Sequence, residues 1–247
     1  MSFSLIAFNC AGNKPVNTDL DAKANYDKGM EMLQKKRYLR AQEEFNQAVI
    51  SGAHTEWGDD ASFYLGEAYF LNKEYLLAIS EYERLIRRMP FTEYLERARY
   101  RICECYIAES PDFFHDQTYT LRAIEEIQEF LDDFPISDFR AEALTANNKL
   151  REKLGQKSYE TGILYLKMDE PKPAIVAFED VINNYYDTRY FKLSHLEIVN
   201  SYCLIPDIAA AEQFIKDKEQ IFTDDDLLSR ANAAIKAART KLEKTNQ

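Results

Sequence analysis

The side chains best able to bind a metal or act as nucleophiles in this 247-residue chain are three histidines, His54, His115 and His195, and four cysteines, Cys10, Cys103, Cys105 and Cys203. A zinc site needs three or four such ligands, with some of them a few residues apart so that one turn presents both. The histidines lie far apart, and none has a second ligand at metal spacing. Cys103 and Cys105 fall in one helical pattern, where residues two apart point in different directions and cannot bridge. These two and Cys203 read as small buried hydrophobes. A Gly-rich phosphate loop, a GxSxG elbow and an HExxH pair are all missing. Carboxylates are plentiful but fall where solvated helix faces belong. No metal, no cofactor and no enzymatic activity are expected.

If the chain does no covalent chemistry, its surface must do the work. The 42 acidic and 31 basic residues leave a net charge of −11, which repels phosphate and makes nucleic acid a poor partner. Hydrophobic content of 46% is ample for a core, while only 7 Gly and 7 Pro are too few for many short strands and their turns. Sixteen Tyr and 15 Phe against one Trp serve on helices as core filler or as rigid contact surface. No apolar run approaches the roughly 20 residues that span a bilayer, so the body of the protein is expected to be soluble.

Helical periodicity runs through almost everything after residue 20, and the helices recur as a unit. Gly29 is followed by Ala41, Phe45 and Ala48; 37 residues on, Gly66 is followed at the same spacings by Ala78, Tyr82 and Leu85. Gly162, Ala174, Phe178 and Val181 repeat the pattern, and Val199, Ala211, Ile215 and Lys218 give a degraded copy. Cys103, Ala123, Ile127 and Phe130 complete five units if eight extra residues lie between their helices. Small residues on the first helix of each pair, facing the alanines of the second, let the backbones approach closely. Pro90 and Pro135 stop the second helices of units two and three. The pattern predicts an all-α tetratricopeptide (TPR) superhelix of five helix-pair repeats with a C-terminal capping helix.

Two departures mark its organisation. The 39 residues from Ala123 to Gly162 exceed the usual 25 by 14, close to four turns, which predicts one long helix from about Phe139 to Lys167. The segment Glu109 to Tyr119, with Phe113 and Phe114, is inserted within unit three and reads either as a contact site or as a loop tucked onto the repeat. Thr223 and the acids after it read as the cap of a final helix reaching about Lys244. The chain thus divides into a flexible leader over 1–20, repeats one to three over 21–136, and repeats four and five plus the capping helix over 137–247.

Such repeats present their first helices along a concave groove. The groove-facing offsets fall on Lys23, Tyr26, Met30 and Leu33, then Phe63, Glu67 and Phe70, then Arg97, Tyr100 and Glu104. This mixture suits an extended peptide, although each aromatic could equally be inter-repeat core.

The five units, the long connector, the insertion, the phrase LGQKSYETGILYLK from Leu154, and Tyr185-Tyr186-Asp187-Thr188 together resemble the BamD family of outer-membrane barrel-assembly lipoproteins. The last motif is similar to that family's Tyr-Pro-Asp-Thr, with Tyr186 in place of proline. Cys10-Ala11-Gly12 resembles a mature lipoprotein start, although Ala7-Phe8-Asn9 is a poor lipobox. The resemblance implies a non-catalytic subunit on the periplasmic face of the outer membrane, touching the membrane only through a lipid on Cys10. It further implies that the N-terminal repeats receive C-terminal signals of unfolded outer membrane proteins at Tyr26, Met30, Phe63, Glu67, Phe70, Arg97 and Tyr100. The C-terminal repeats would dock the POTRA region of a BamA-like protein through Tyr159, Tyr165, Tyr185, Tyr190 and His195, alongside accessory lipoproteins of the complex. The alternative is a soluble periplasmic or cytosolic TPR scaffold or co-chaperone with another peptide ligand. A cell-division type would carry coiled-coil heptads, absent here. A carboxylate clamp would set several Lys and Arg on the groove, where the offsets offer only Lys23 and Arg97.

Overall fold

A computed structural model describes residues 18–52, 55, 57–223 and 225–245; the lipidation expected at Cys10 and His54 lie outside them. Among the described residues every regular element is an α-helix: α1 (Thr18–Gln34), α2 (Tyr38–Ser51), α3 (Trp57–Leu71), α4 (Tyr75–Arg88), α5 (Leu95–Glu109), α6 (Thr118–Asp133), α7 (Arg140–Lys167), α8 (Pro171–Asn184), α9 (Tyr190–Leu204), α10 (Ile208–Asp217) and α11 (Asp225–Thr245). The chain is an all-α tetratricopeptide fold, with five successive pairs and α11 after them. The 14 surplus residues lengthen α7 to 28 residues, as their near-integral number of turns predicts.

The chain divides into two compact units, the first ending at Cys105 and the second beginning at Tyr106, so the division falls inside α5. In the first unit α1 packs on α2, α2 on α3, and α3 on α4. Its core gathers Ala41, Phe45, Ala48, Ala61, Leu65 and Ala68, with Met30 and Leu33 packed against them. In the second unit α7, α8 and α9 pack in succession, and α11 lies against α9 and α10. Leu227, Ala231 and Ile235 of α11 join Leu196, Val199 and Ala211 in its last core. The apolar spacing of α11 thus gives the helix one buried face, which caps the fifth pair.

The first, second and fourth helix pairs turn by the same device. The residue seven after the glycine takes a left-handed conformation, with φ of 56° at Lys36, 63° at Lys73 and 60° at Asp169. The amide of the next residue reaches back five positions: Arg37 to Met32 O and Glu74 to Tyr69 O, both at 2.9 Å, and Glu170 to Tyr165 O, also at 2.9 Å. These bonds satisfy helix-end carbonyls and turn the chain within three residues.

The glycines are small for a reason that differs from the sequence expectation. A Cβ on Gly29 would lie 2.6 Å from the Phe45 ring; on Gly66, 2.5 Å from Tyr82; on Gly162, 2.5 Å from Phe178. The side chain that needs the space is therefore the aromatic four residues beyond Ala41, Ala78 or Ala174. At the other end of the chain, the Thr223 hydroxyl donates to Gln220 O at 3.0 Å in the turn before α11.

Candidate functional site

A second repeat, not noticed in the sequence, joins each helix pair to the next. Thr55-x-Trp57, Thr92-x-Tyr94, Ser137-x-Phe139 and Thr188-x-Tyr190 recur at the turns into α3, α5, α7 and α9. In the first three the hydroxyl accepts from the amide two residues on: Trp57 N at 3.2 Å, Tyr94 N at 3.3 Å and Phe139 N at 3.0 Å. Thr188 differs, its hydroxyl donating to Tyr185 O at 2.7 Å.

The aromatics at these turns meet residues predicted to face the groove. Tyr26 packs on Trp57 with ring centroids 5.5 Å apart, and Tyr159 on Tyr190 at 5.3 Å. Phe63 stacks on Tyr94 at 4.4 Å and 11°. Offset stacking of this kind stabilises by roughly 1 kcal/mol beyond area burial. Phe63 has no exposed surface and Tyr190 only 6%, so both are joint residues rather than contact surface. Tyr26 and Tyr159 are half-buried, and burial, the largest cause, pushes both phenols up to about 12.

Beside the Phe63 joint lies a buried charge network. Glu67, 6% exposed, accepts from Tyr82 Oη at 2.6 Å, Arg101 Nε at 2.6 Å and Arg101 Nη2 at 2.9 Å. Arg101 also donates to Glu104 at 2.6 Å. Burial, followed by the neighbouring Glu67 charge, drives the Tyr82 phenol far above its ordinary value. Burial opposes the charge on Arg101, but its bonds to Glu67 outweigh that and raise its pKa. Glu67 is thus a satisfied core anion, and Arg101, which the sequence reading passed over, is its partner.

What remains open in the first unit is narrower than expected. Arg97 is 49% exposed, 3.7 Å from Glu67 and 5.2 Å above the Phe63 ring. Phe70, half-buried, lies under the Arg101 guanidinium at 4.6 Å and edge-on to Tyr75. Met30 and Tyr100 are also half-buried.

In the second unit Arg151 of α7 grips the turn between α8 and α9. It donates to both Asp187 oxygens at 2.6 Å and to Asn184 O at 2.8 Å, below Tyr185 and Tyr186 at 5.9 Å each. Thr188 presses on α7, where a Cβ on Gly155 would come 2.9 Å from its hydroxyl. The Tyr-Tyr-Asp-Thr motif is thereby a fastening of turn to long helix. Tyr165 lines an open recess of about 630 Å³ with Lys157, Thr161 and Val176. The inserted loop is pinned to α7 by Lys153, which donates to Ser110 Oγ at 2.8 Å, and by Lys157, which donates to His115 O at 2.6 Å. Phe113 is half-buried and Phe114 is 64% exposed.

His195 is 1% exposed, which removes it from any contact surface. Its ring bonds Phe191 O at 2.9 Å through Nδ1 and packs among Phe191, Phe214 and Phe222. Burial holds its pKa below the ordinary value. An unfolded imidazole protonates near pH 6.5 while this one stays neutral, so the unfolded state binds the extra proton. Stability is therefore full above about pH 6.5 and declines as the pH falls through that value toward the folded pKa. Urea midpoints at pH 7.5 and 5.5 should differ more for the wild type than for His195→Gln; equal differences would remove the histidine as the cause.

Among the described residues no group of His, Cys, Asp or Glu could hold a metal, and no helix is long and apolar enough to cross a membrane. The YfiO family model, an outer membrane lipoprotein, matches residues 18–215. The outer membrane protein assembly factor BamD of Rickettsia prowazekii is 26% identical over 202 residues, covering 81% of this chain and 80% of that protein. BamD of Caulobacter vibrioides is 24% identical over 200 residues, covering 79% of this chain and 66% of that protein. Solved structures similar to it include the TPR2AB-domain:pHSP90 complex of yeast Sti1, with a TM-score of 0.45 at 16% identity over 90% of this chain and 84% of that one. A thermophilic TPR protein of Thermus thermophilus has a TM-score of 0.37 at 16% identity, over 87% and 98%.

Proposed function

The chain belongs to the YfiO family of outer membrane lipoproteins, and we propose from that footing that it is a non-catalytic assembly factor for outer membrane β-barrel proteins. The observation that carries this reading is the alignment of two BamD assembly factors over about four-fifths of the chain. The helix-pair repeats agree with it, since stacked pairs leave faces for other polypeptides and few enclosed sites for chemistry.

In this reading the protein sits at the periplasmic face of the outer membrane, held by a lipid on Cys10 within the leader over 1–20. Repeats one to three, over 21–136, take the C-terminal signals of unfolded outer membrane proteins. Repeats four and five with α11, over 137–247, dock a BamA-like POTRA protein and accessory lipoproteins. The client contact falls to Arg97, Phe70, Tyr100, Met30 and the open edge of Tyr26, while buried Phe63 and Glu67 hold that surface from beneath. Docking in the second unit falls to the half-buried Tyr165 and Tyr185, while Tyr159 and Tyr190 pack on each other.

Arg97 is the cation best placed to meet a peptide carboxylate, because Arg101 already neutralises Glu67 at shorter range. A charge-assisted hydrogen bond contributes roughly 1.5–3 kcal/mol, and each 1.4 kcal/mol is about tenfold in affinity. Titrating the full chain with a peptide ending in the aromatic C-terminus of an outer membrane barrel should show about tenfold weaker binding for Arg97→Ala at its half-exposed position. Equal affinity in both would reject this client surface.

A further inference from the structure

Helices α9 and α11 enclose a surface that the joint and client residues do not use. A trough of about 500 Å³ lies between α9 and α11, with Leu166 of α7 at one end. Its α11 wall is built from Ala234, Ala237 and Ala238, small side chains that leave the helix backbone close to whatever enters. Leu204, 52% exposed, forms part of the α9 wall.

The charge around this apolar trough runs against that of the chain. Residues 236–244 carry Lys236, Arg239, Lys241 and Lys244 against Glu243 alone, in a protein of net charge −11. Arg239 is engaged by Glu212. The one acid lining the trough, Glu197, already accepts from Asn200 at 3.0 Å. Lys241 lines the trough itself, and Lys236 and Lys244 line the recess beside it.

We propose that this trough is a docking site for an amphipathic helix whose apolar face carries leucine-sized side chains and whose flanks are acidic. Alanines at helical spacing accept a second helix at close range, and lysines along the rim select negative flanks. A lipid surface fits less well, because a concave trough buries protruding side chains whereas a flat bilayer needs a protruding apolar face. The assignment deepens the docking reading of the second unit and rests on it.

The trough contains its own reporter. Cys203 is half-buried on its α9 wall, whereas Cys103 and Cys105 have no exposed surface. In the full-length chain carrying Cys10→Ser, maleimide labelling therefore reads Cys203. A synthetic helical peptide with leucine on one face and glutamate on the flanks is expected to slow labelling at least tenfold. Lys241→Glu with Lys244→Glu, or Ala238→Trp with unchanged helical circular dichroism, is expected to abolish that protection. No protection, equal protection by the same peptide with lysine flanks, or protection only by phosphatidylglycerol vesicles would overturn the proposal. Affinity isolation from outer membranes separates it from the docking reading: a barrel-forming subunit recovered equally by Ala238→Trp and wild type keeps the docking and discards this trough.

Discussion

Replacing Glu67 with alanine is expected to destabilise the protein by about 3 kcal/mol, read from urea unfolding followed by circular dichroism. Removing one partner of a buried ion pair costs roughly 3–5 kcal/mol, because the other is left charged and desolvated. Here the loss strands both the Arg101 guanidinium and the Tyr82 hydroxyl. The lower end of that range applies because Arg101 keeps Glu104 and about a fifth of its side chain remains exposed. Arg97→Ala is the internal comparison. Its guanidinium is half-exposed at 3.7 Å, a pairing that contributes under about 1 kcal/mol in water. Comparable losses for the two variants would mean that Glu67 is not the anchor described.

The second large effect is expected at Gly162, where two influences of opposite sign compete. Alanine gains about 1 kcal/mol over glycine in a helix interior. Its Cβ, however, would sit 2.5 Å from the Phe178 ring, which has no exposed surface and no room to withdraw. Forced overpacking costs roughly 1–3 kcal/mol, so Gly162→Ala should lose about 1 kcal/mol net, and Gly162→Leu at least about 3 kcal/mol. Phe178→Leu frees the space, so the Gly162→Ala, Phe178→Leu double variant should be more stable than the two losses summed. Additive losses would place the strain elsewhere.

The fold was legible in the sequence because helix pairs repeat their constraints. Gly29, Gly66 and Gly162 announced the same close approach three times, and the surplus before Gly162 was a near-integral number of turns that α7 could absorb. The contact residues were less legible because a groove offset and an inter-repeat offset use the same residue types. Tyr26, Phe63 and Tyr159 each sit three residues before the glycine, and each turns its ring onto the aromatic that opens the next pair. The signal that would have separated the two readings was the Ser/Thr-x-aromatic turn, at the same 37-residue spacing from Thr55 to Thr92. His195 misled for a related reason. A histidine is usually read as surface or site, yet three phenylalanine rings and the Phe191 carbonyl supply all it needs within the core. Arg101 and Arg151 left no trace in the apolar pattern, since their partners Glu67 and Asp187 lie 34 and 36 positions away.

The placement of both halves of each aromatic joint gives the first two pairs the same junction. Excising residues 38–74 would remove one whole period and bring Tyr26 to the place Phe63 holds against Tyr94, with Lys36 taking over the left-handed turn from Lys73. The aromatic joint is thereby transferable but the charge network is not, because the same excision removes Glu67 and sets Met30 in its place, leaving Arg101 and Tyr82 without their partner. Gain or loss of that period must therefore carry the acid and its two donors together, a constraint that the regular spacing of the rings does not impose.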